Sequence, residues 1–231
     1  MVDFARYDVR NYPTLPVREG YEAWAPSYEA TVLDLMDLRL AGRLTSIDWA
    51  AASPVLDFAC GTGRIGQWMR AQGAGPIDGV DLTPAMLARA AERGVYRELK
   101  VGDVGATGYP AGAYALVTQS LADEHLASLE PVYAEAARVT RADGRFVLIG
   151  FHPFFLMAGV PTHFNAAPGE PTAIESYVHL TSDHVAAAGR AGWRLKEMVE
   201  GLVDDAWVAA KPKWEAYRDR PVSFAMVWEK T

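Results

Sequence analysis

Apolar positions fall along this chain in two rhythms. Short runs rich in branched and aromatic residues, at 55–58, 76–81, 96–101, 114–119 and 145–151, have the length and composition of strands. Between them, apolar residues recur every three or four positions, and these stretches predict helices over 64–72, from Pro84 to about Gly94, and over 129–139. Thr83-Pro84 supplies a helix start, an N-cap residue followed by proline at the first helical position. Asp143-Gly144 predicts a turn into the fifth strand. A further helix over about 181–191 and strands over 193–203 and 221–229 complete the pattern. Strands alternating with helices predict a parallel sheet covered on both faces. The last two strands lack a long helix between them, so they are expected to pair antiparallel.

Three segments stand outside this alternation. Residues 1–20, with Pro13, Pro16 and Gly20, predict an irregular arm. After a possible cap at Ser27, the spacing of Val32, Leu35, Met36, Leu38 and Leu40 predicts one helix continuing to about Trp49. Residues 152–180 and 204–220 predict irregular insertions rich in aromatic residues. Long irregular segments inside a compact domain are usually functional.

The centre of the pattern is 54–66, Pro-Val-Leu-Asp-Phe-Ala-Cys-Gly-Thr-Gly-Arg-Ile-Gly. An apolar strand carries an acid, Asp57, then turns sharply at Gly61 and Gly63 into a helix. Glycines let a ligand approach the main chain, and a helix start offers unpaired N–H groups to an anionic group. The acid adds the opposite requirement, a cation. A ligand carrying a carboxylate, an ammonium and a nucleoside meets both.

These residues resemble motif I of the class I S-adenosylmethionine-dependent methyltransferases. Downstream, Val80-Asp81-Leu82-Thr83-Pro84, Gly102-Asp103-Val104 and 138–149 resemble that family's later motifs. The nearest group by resemblance contains the ubiquinone and menaquinone biosynthesis type and related small-molecule enzymes. The resemblance implies a Rossmann-like α/β fold with seven strands in the order 3-2-1-4-5-7-6, the seventh antiparallel. It implies S-adenosyl-L-methionine as cofactor and S-adenosyl-L-homocysteine as product. By position, Asp57, Ala59, Gly61 and Gly63 would meet the methionine part, and Asp81 the ribose hydroxyls. Leu82 and Met86 would pack on the adenine, Asp103 and Val104 would read its edge, and Gln119 would complete the cofactor contacts. Gly61-Thr-Gly-Arg-Ile-Gly66 also fits the dinucleotide pattern G-x-G-x-x-G. Acids near three successive strand ends suit a cationic aminoacyl nucleoside better than a pyrophosphate.

The acceptor is expected above the ends of the fourth and fifth strands. Histidine suits a base at neutral pH. His152, just past the fifth strand, is the first candidate and His163 the second. His125 is the weaker one and is assigned with Tyr28, Trp24 and Phe151 to the substrate side. No histidine spacing matches a metal motif, and no metal is expected. The aromatic insertion predicts a small aromatic or heterocyclic acceptor methylated at oxygen or nitrogen. Carbon methylation of a ring and an inactive cofactor-binding partner subunit are the alternatives.

Length and charge narrow this further. The 231 residues suit one domain over 1–231, with 1–50 as an N-terminal helical cover. The net charge of −7 argues against nucleic acid as a partner. Cys60 is the single cysteine, which excludes an internal disulfide and fits a reducing compartment. The N-terminus lacks the apolar core of a signal peptide, and the longest apolar stretch, 146–160, is too short to span a bilayer. The expectation is a cytoplasmic monomer or homodimer with no membrane partner.

Overall fold

The structure is a computed structural model and describes residues 2–231. Its main sheet contains β1 (Val55–Phe58), β2 (Ile77–Asp81), β3 (Tyr96–Val101), β4 (Tyr114–Ser120), β5 (Thr140–Phe151), β6 (Trp193–Leu202) and β7 (Pro221–Lys230). Their spatial order is 3-2-1-4-5-7-6. The first five strands are parallel to one another, and β7 runs antiparallel to both β5 and β6. This is the expected topology.

Nine helices accompany the strands among the described residues: α1 (Val17–Trp24), α2 (Tyr28–Thr31), α3 (Leu38–Ala41), α4 (Arg64–Ala71), α5 (Pro84–Glu92), α6 (Glu130–Val139), α7 (Pro153–Met157), α8 (Thr181–Arg190) and α9 (Asp205–Ala210). The period-two alternation of the strands divides the core. On one face Leu40, Ile65 and Met69 cover Val55, Ile77, Leu116, Val147, Ala225 and Val227. On the other, Tyr133, Ala136 and Ala188 cover Leu56, Phe58, Val117, Phe146, Leu148 and Trp228. Both faces are buried, which is why the central strands read as nearly unbroken apolar runs.

Four expectations need correction. The helix expected from Ser27 to Trp49 is broken into α2 and α3. Thr31 turns its hydroxyl back onto the carbonyls of Ser27 and Tyr28, a local bond that competes with continued helix, and the Asp37 carboxylate accepts from the N–H of Leu38 at the start of α3. Ser27 makes no side-chain cap. The arm 1–20 is not irregular throughout. It contributes the start of α1 and two short strands, Val2–Asp3 and Thr14–Leu15.

The turn expected at Asp143-Gly144 is a bulge inside β5. Thr140 faces Tyr114 and Arg145 faces Leu116, so 141–144 loop out of the ladder. A Cβ on Gly144 would lie 2.8 Å from the Ala115 carbonyl oxygen, so the close approach requires glycine. Finally, 152–180 holds α7, a hairpin of His163–Ala167 with Glu170–Ile174, and a strand Tyr177–Val178. Thr14–Leu15 joins that hairpin, and Val2–Asp3 pairs with Tyr177–Val178. The second insertion, 204–220, folds into α9 and a 3-10 turn, Pro212–Tyr217. The two strands of the arm form by pairing with the first insertion, which satisfies their backbone groups.

Candidate active site

The C-terminal ends of β1, β2 and β4 open onto one cavity of about 300 Å³. That lies at the small end of the range for ligand pockets. The glycine turn after β1 makes its floor. Gly61 has φ of 53°, and a Cβ there would find nothing nearer than the Ala59 oxygen at 4.0 Å. The open space beyond belongs to the cavity, which Gly61 lines together with Ala59. Gly63 adopts φ of 80° for a different reason. A Cβ there would press on the Tyr96 ring at 2.9 Å.

Asp81 ends β2 and lines the cavity, nearly buried. One carboxylate oxygen accepts from the Gly61 N–H at 2.8 Å, and the other from the Thr83 N–H at 2.8 Å. Burial pushes this carboxyl above its ordinary range, and the two N–H donors oppose the shift. Each oxygen keeps a further lone pair, so the group can accept two hydroxyl donors from a ligand. Leu82 and Met86 flank it. Asp103 and Val104, after β3, complete this wall. The Asp103 carboxylate also accepts from the Gly105 N–H at 2.7 Å, which fixes the loop.

The opposite wall comes from distant parts of the chain. Val17 and Tyr21 of α1 and Tyr28 of α2 cover the cavity, and Leu121, His125 and Leu126 follow β4. Ion pairs hold the cover against the glycine turn. Arg64, at the start of α4, reaches Asp34 at 2.6 Å and Asp37 at 3.0 Å. Glu29 pairs with Arg93 at 2.7 Å and accepts from the Thr62 hydroxyl, while Arg93 also donates to the Thr62 carbonyl at 2.6 Å.

His125 is the histidine on this cavity. Its Nδ1 lies 2.7 Å from the Glu175 carbonyl oxygen, which can only accept, so Nδ1 carries the proton. Its Nε2 lies 2.9 Å from the Tyr21 hydroxyl and 3.4 Å from Glu124 Oε1. Burial pushes Glu124 up to about 7, against the lowering effect of His125. Asp123 is likewise pushed up to about 7 by burial.

Several expected site residues lie elsewhere. His152 caps α7, accepting from the Phe154 N–H at 3.1 Å, and its Nε2 meets Glu200 at 2.9 Å. His163 donates to the Pro161 carbonyl at 2.7 Å and packs near Tyr12, and burial lowers its pKa. Neither borders the cavity, so the base expected at His152 or His163 has no geometric support. Asp57 lies wholly buried beneath the turn, accepting from Tyr96 at 2.7 Å and Thr118 at 2.8 Å. Gln119 is buried with neither amide atom hydrogen-bonded. Trp24 supports the cover from behind, stacked on Phe164 and donating to Thr31 at 3.0 Å. Phe151 stacks on Phe155. Neither Trp24 nor Phe151 lines the cavity. Tyr21 was not singled out by the sequence. It falls in the aromatic segment Tyr21–Tyr28 of the expected N-terminal cover.

A cavity at the strand ends of a 3-2-1-4-5-7-6 sheet is the architecture of the class I methyltransferase fold. Comparison with known proteins agrees. Residues 56–148 match a family model described as a methyltransferase domain. Over 138 residues the chain is 30% identical to nocamycin O-methyltransferase of Saccharothrix syringae, covering 56% of this chain and 49% of that protein. The chain thus spans about half the length of that relative. It is 29% identical over 198 residues to demethylmenaquinone methyltransferase of Mycolicibacterium gilvum, covering 75% of this chain and 84% of that one. An S-adenosylmethionine-dependent methyltransferase from Mesorhizobium loti superposes with a TM-score of 0.67 at 20% identity, covering 85% of this chain and 98% of that one. The chain is thus similar to methyltransferases over part of its length and shares the fold of the S-adenosylmethionine-dependent enzyme from Mesorhizobium loti. The doubly engaged Asp81 and the open face of Gly61 fit S-adenosylmethionine.

Among the described residues no group of histidine, cysteine and acidic side chains could hold a metal ion, and no helix is long and apolar enough to cross a membrane.

Proposed function

We propose that this chain transfers a methyl group from S-adenosyl-L-methionine to a small, largely apolar acceptor at oxygen or nitrogen. One observation carries the reading: a single cavity joins the Asp81 and Gly61 wall to an aromatic wall of Tyr21 and Tyr28. The first wall suits a nucleoside and the second an apolar acceptor.

Asp81 would accept from the ribose hydroxyls, Leu82 and Met86 would cover the adenine, and Asp103 with Val104 would meet its edge. The bound cofactor supplies an electrophilic methyl group on a sulfonium sulfur. The chain's own part is to align the acceptor, exclude water and receive a proton. Tyr28 and Tyr21 shield the cavity from solvent, and the ion pairs of Glu29 and Arg64 hold them there. The lone Cys60 is buried and free, which supports a reducing, cytoplasmic setting. A monomer or homodimer remains the expected assembly.

The test is formation of S-adenosylhomocysteine when S-adenosylmethionine is incubated with a panel of small phenols, alcohols and heterocyclic amines. Turnover of at least one acceptor by wild type, and none by Asp81→Ala, is expected. Equal turnover by the variant would remove Asp81 from the cofactor site.

A further inference from the structure

We infer that His125 Nε2 takes the proton from an acceptor hydroxyl, and that the Tyr21 hydroxyl holds that acceptor's place when the cavity is closed without one. This rests on the reading above that the acceptor enters this cavity.

Three features of the geometry converge. The Glu175 carbonyl fixes the proton of the neutral ring on Nδ1, so Nε2 presents a lone pair. That lone pair points to the cavity wall, where its partner at 2.9 Å is the Tyr21 phenol. The phenol comes from α1, part of the cover, and not from the scaffold that carries His125. Burial and the nearby Glu124 push the Tyr21 hydroxyl well above the ordinary tyrosine range, so it stays a donor. A neutral hydroxyl donor on Nε2 is the chemistry an alcohol or phenol acceptor would offer. The two hydroxyls compete for one lone pair.

Glu124 makes the protonated ring tolerable. Its Oε1 lies 3.4 Å from Nε2 and also accepts from Thr162 at 3.2 Å, while Oε2 has no partner in the structure. A carboxylate there offsets an imidazolium formed in a buried site. Glu124 is therefore a positioning residue. The step balances. The acceptor oxygen bonds to the methyl carbon as the sulfonium C–S bond breaks, the C–S pair stays on sulfur, and the acceptor proton passes to Nε2. The inference narrows the acceptor to an alcohol or phenol that arrives protonated.

The experiment has two readouts. The first is nitrogen NMR of histidine-labelled protein saturated with S-adenosylhomocysteine, titrated with unsubstituted phenol. The His125 signals should report a bare, hydrogen-bonded Nε2 that shifts as phenol binds. Tyr21→Phe should bind phenol at least about threefold more tightly, since the competing hydroxyl is gone. A proton on Nε2, or an unchanged phenol response in Tyr21→Phe, overturns the inference.

The second readout is turnover. His125→Gln should lose about 100-fold or more on unsubstituted phenol, the usual contribution of a base. It should lose less than about tenfold on 4-nitrophenol at alkaline pH, where that acceptor arrives ionised and needs no base. Its affinity for S-adenosylhomocysteine should match wild type and it should still unfold cooperatively, which separates a lost base from a lost fold. Equal losses on both phenols, or no turnover of either by wild type that binds S-adenosylhomocysteine, overturn the inference and leave the cofactor reading standing. Failure of wild type to bind S-adenosylhomocysteine strikes that underlying reading instead.

Discussion

The two walls of the cavity are built in opposite ways. The first is local. Gly61, Asp81 and Asp103 each lie at or within three residues of a strand end, and backbone N–H groups hold the two carboxylates from within two residues or across one strand pair. The second is assembled. His125 meets Tyr21 and Glu175, 104 and 50 residues away in sequence, only in the folded chain. A wall made by strand ends inherits the rigidity of a sheet buried on both faces. A wall made by a cover rests on a few ion pairs and on aromatic packing between distant segments, and it is the part expected to open. A ligand that must enter, react and leave needs one wall of each kind.

Substitutions can test that contrast, and two glycines in one turn give the largest separation. Gly61→Val would place a side chain in the cavity without touching the packed core. It should weaken S-adenosylhomocysteine binding by about 100-fold or more, with a smaller loss of stability from its positive φ. Calorimetric titration reads the first effect and thermal unfolding the second. Gly63→Ala should do the reverse. Its Cβ would crowd Tyr96 at 2.9 Å and the Ala90 backbone at 3.3 Å, at φ of 80°. It should cost about 2–4 kcal/mol of stability, measured by denaturant unfolding. Equal binding losses at comparable stability would merge the two roles.

Asp57 tests whether the rigid wall rests on a neutral acid. Burial pushes this carboxyl up to about 7 from an ordinary 3.8, only partly opposed by the Tyr96 and Thr118 hydroxyls. The folded chain therefore keeps a proton that the unfolded chain releases between those values. Wild type should lose stability relative to Asp57→Asn as pH rises from about 4 to 7, by at most about 1.4 kcal/mol per pH unit, and the difference should level off above that. Unfolding of both proteins across that range would read the slope, and a constant difference would mean the carboxyl is ionised in the fold.

The smallest effect belongs to the cover. Glu29 is half-exposed, so Glu29→Gln should change stability by less than about 1 kcal/mol. It should nevertheless speed release of S-adenosylhomocysteine several-fold in stopped-flow displacement, because Glu29 joins α2 to Arg93 and the glycine turn. An unchanged release rate would mean that Glu29 is no latch.

The same contrast explains what the sequence made readable. Strand, turn and acid at 54–66 and 77–83 are set by nearest neighbours, so the topology and the positions of Gly61, Asp81 and Asp103 were legible. Asp57 was legible as an acid near a strand end but not in its orientation. In β1 its side chain points into the layer with Tyr96 and Thr118, and only the neighbouring strands decide that. The histidines were less legible for a related reason. His152 lies just past β5, where a base is expected, yet the Phe154 N–H and Glu200 claim both its nitrogens. His125 gained its place from the Glu175 carbonyl, fifty residues away, and from Tyr21 on the cover. The broken helix after Ser27 followed the same logic, since Asp34 and Asp37 turn toward Arg64 rather than continue a helical face.

The central claim is that the wall of strand ends, with Asp81 at its centre, holds S-adenosylmethionine. Calorimetric titration of wild type and Asp81→Ala with S-adenosylhomocysteine tests it most directly. Micromolar binding by wild type, weakened about 100-fold in a variant that still folds, is the expected result, because two charge-assisted hydrogen bonds are lost at once. No binding by folded wild type, or equal binding by both proteins, would contradict it.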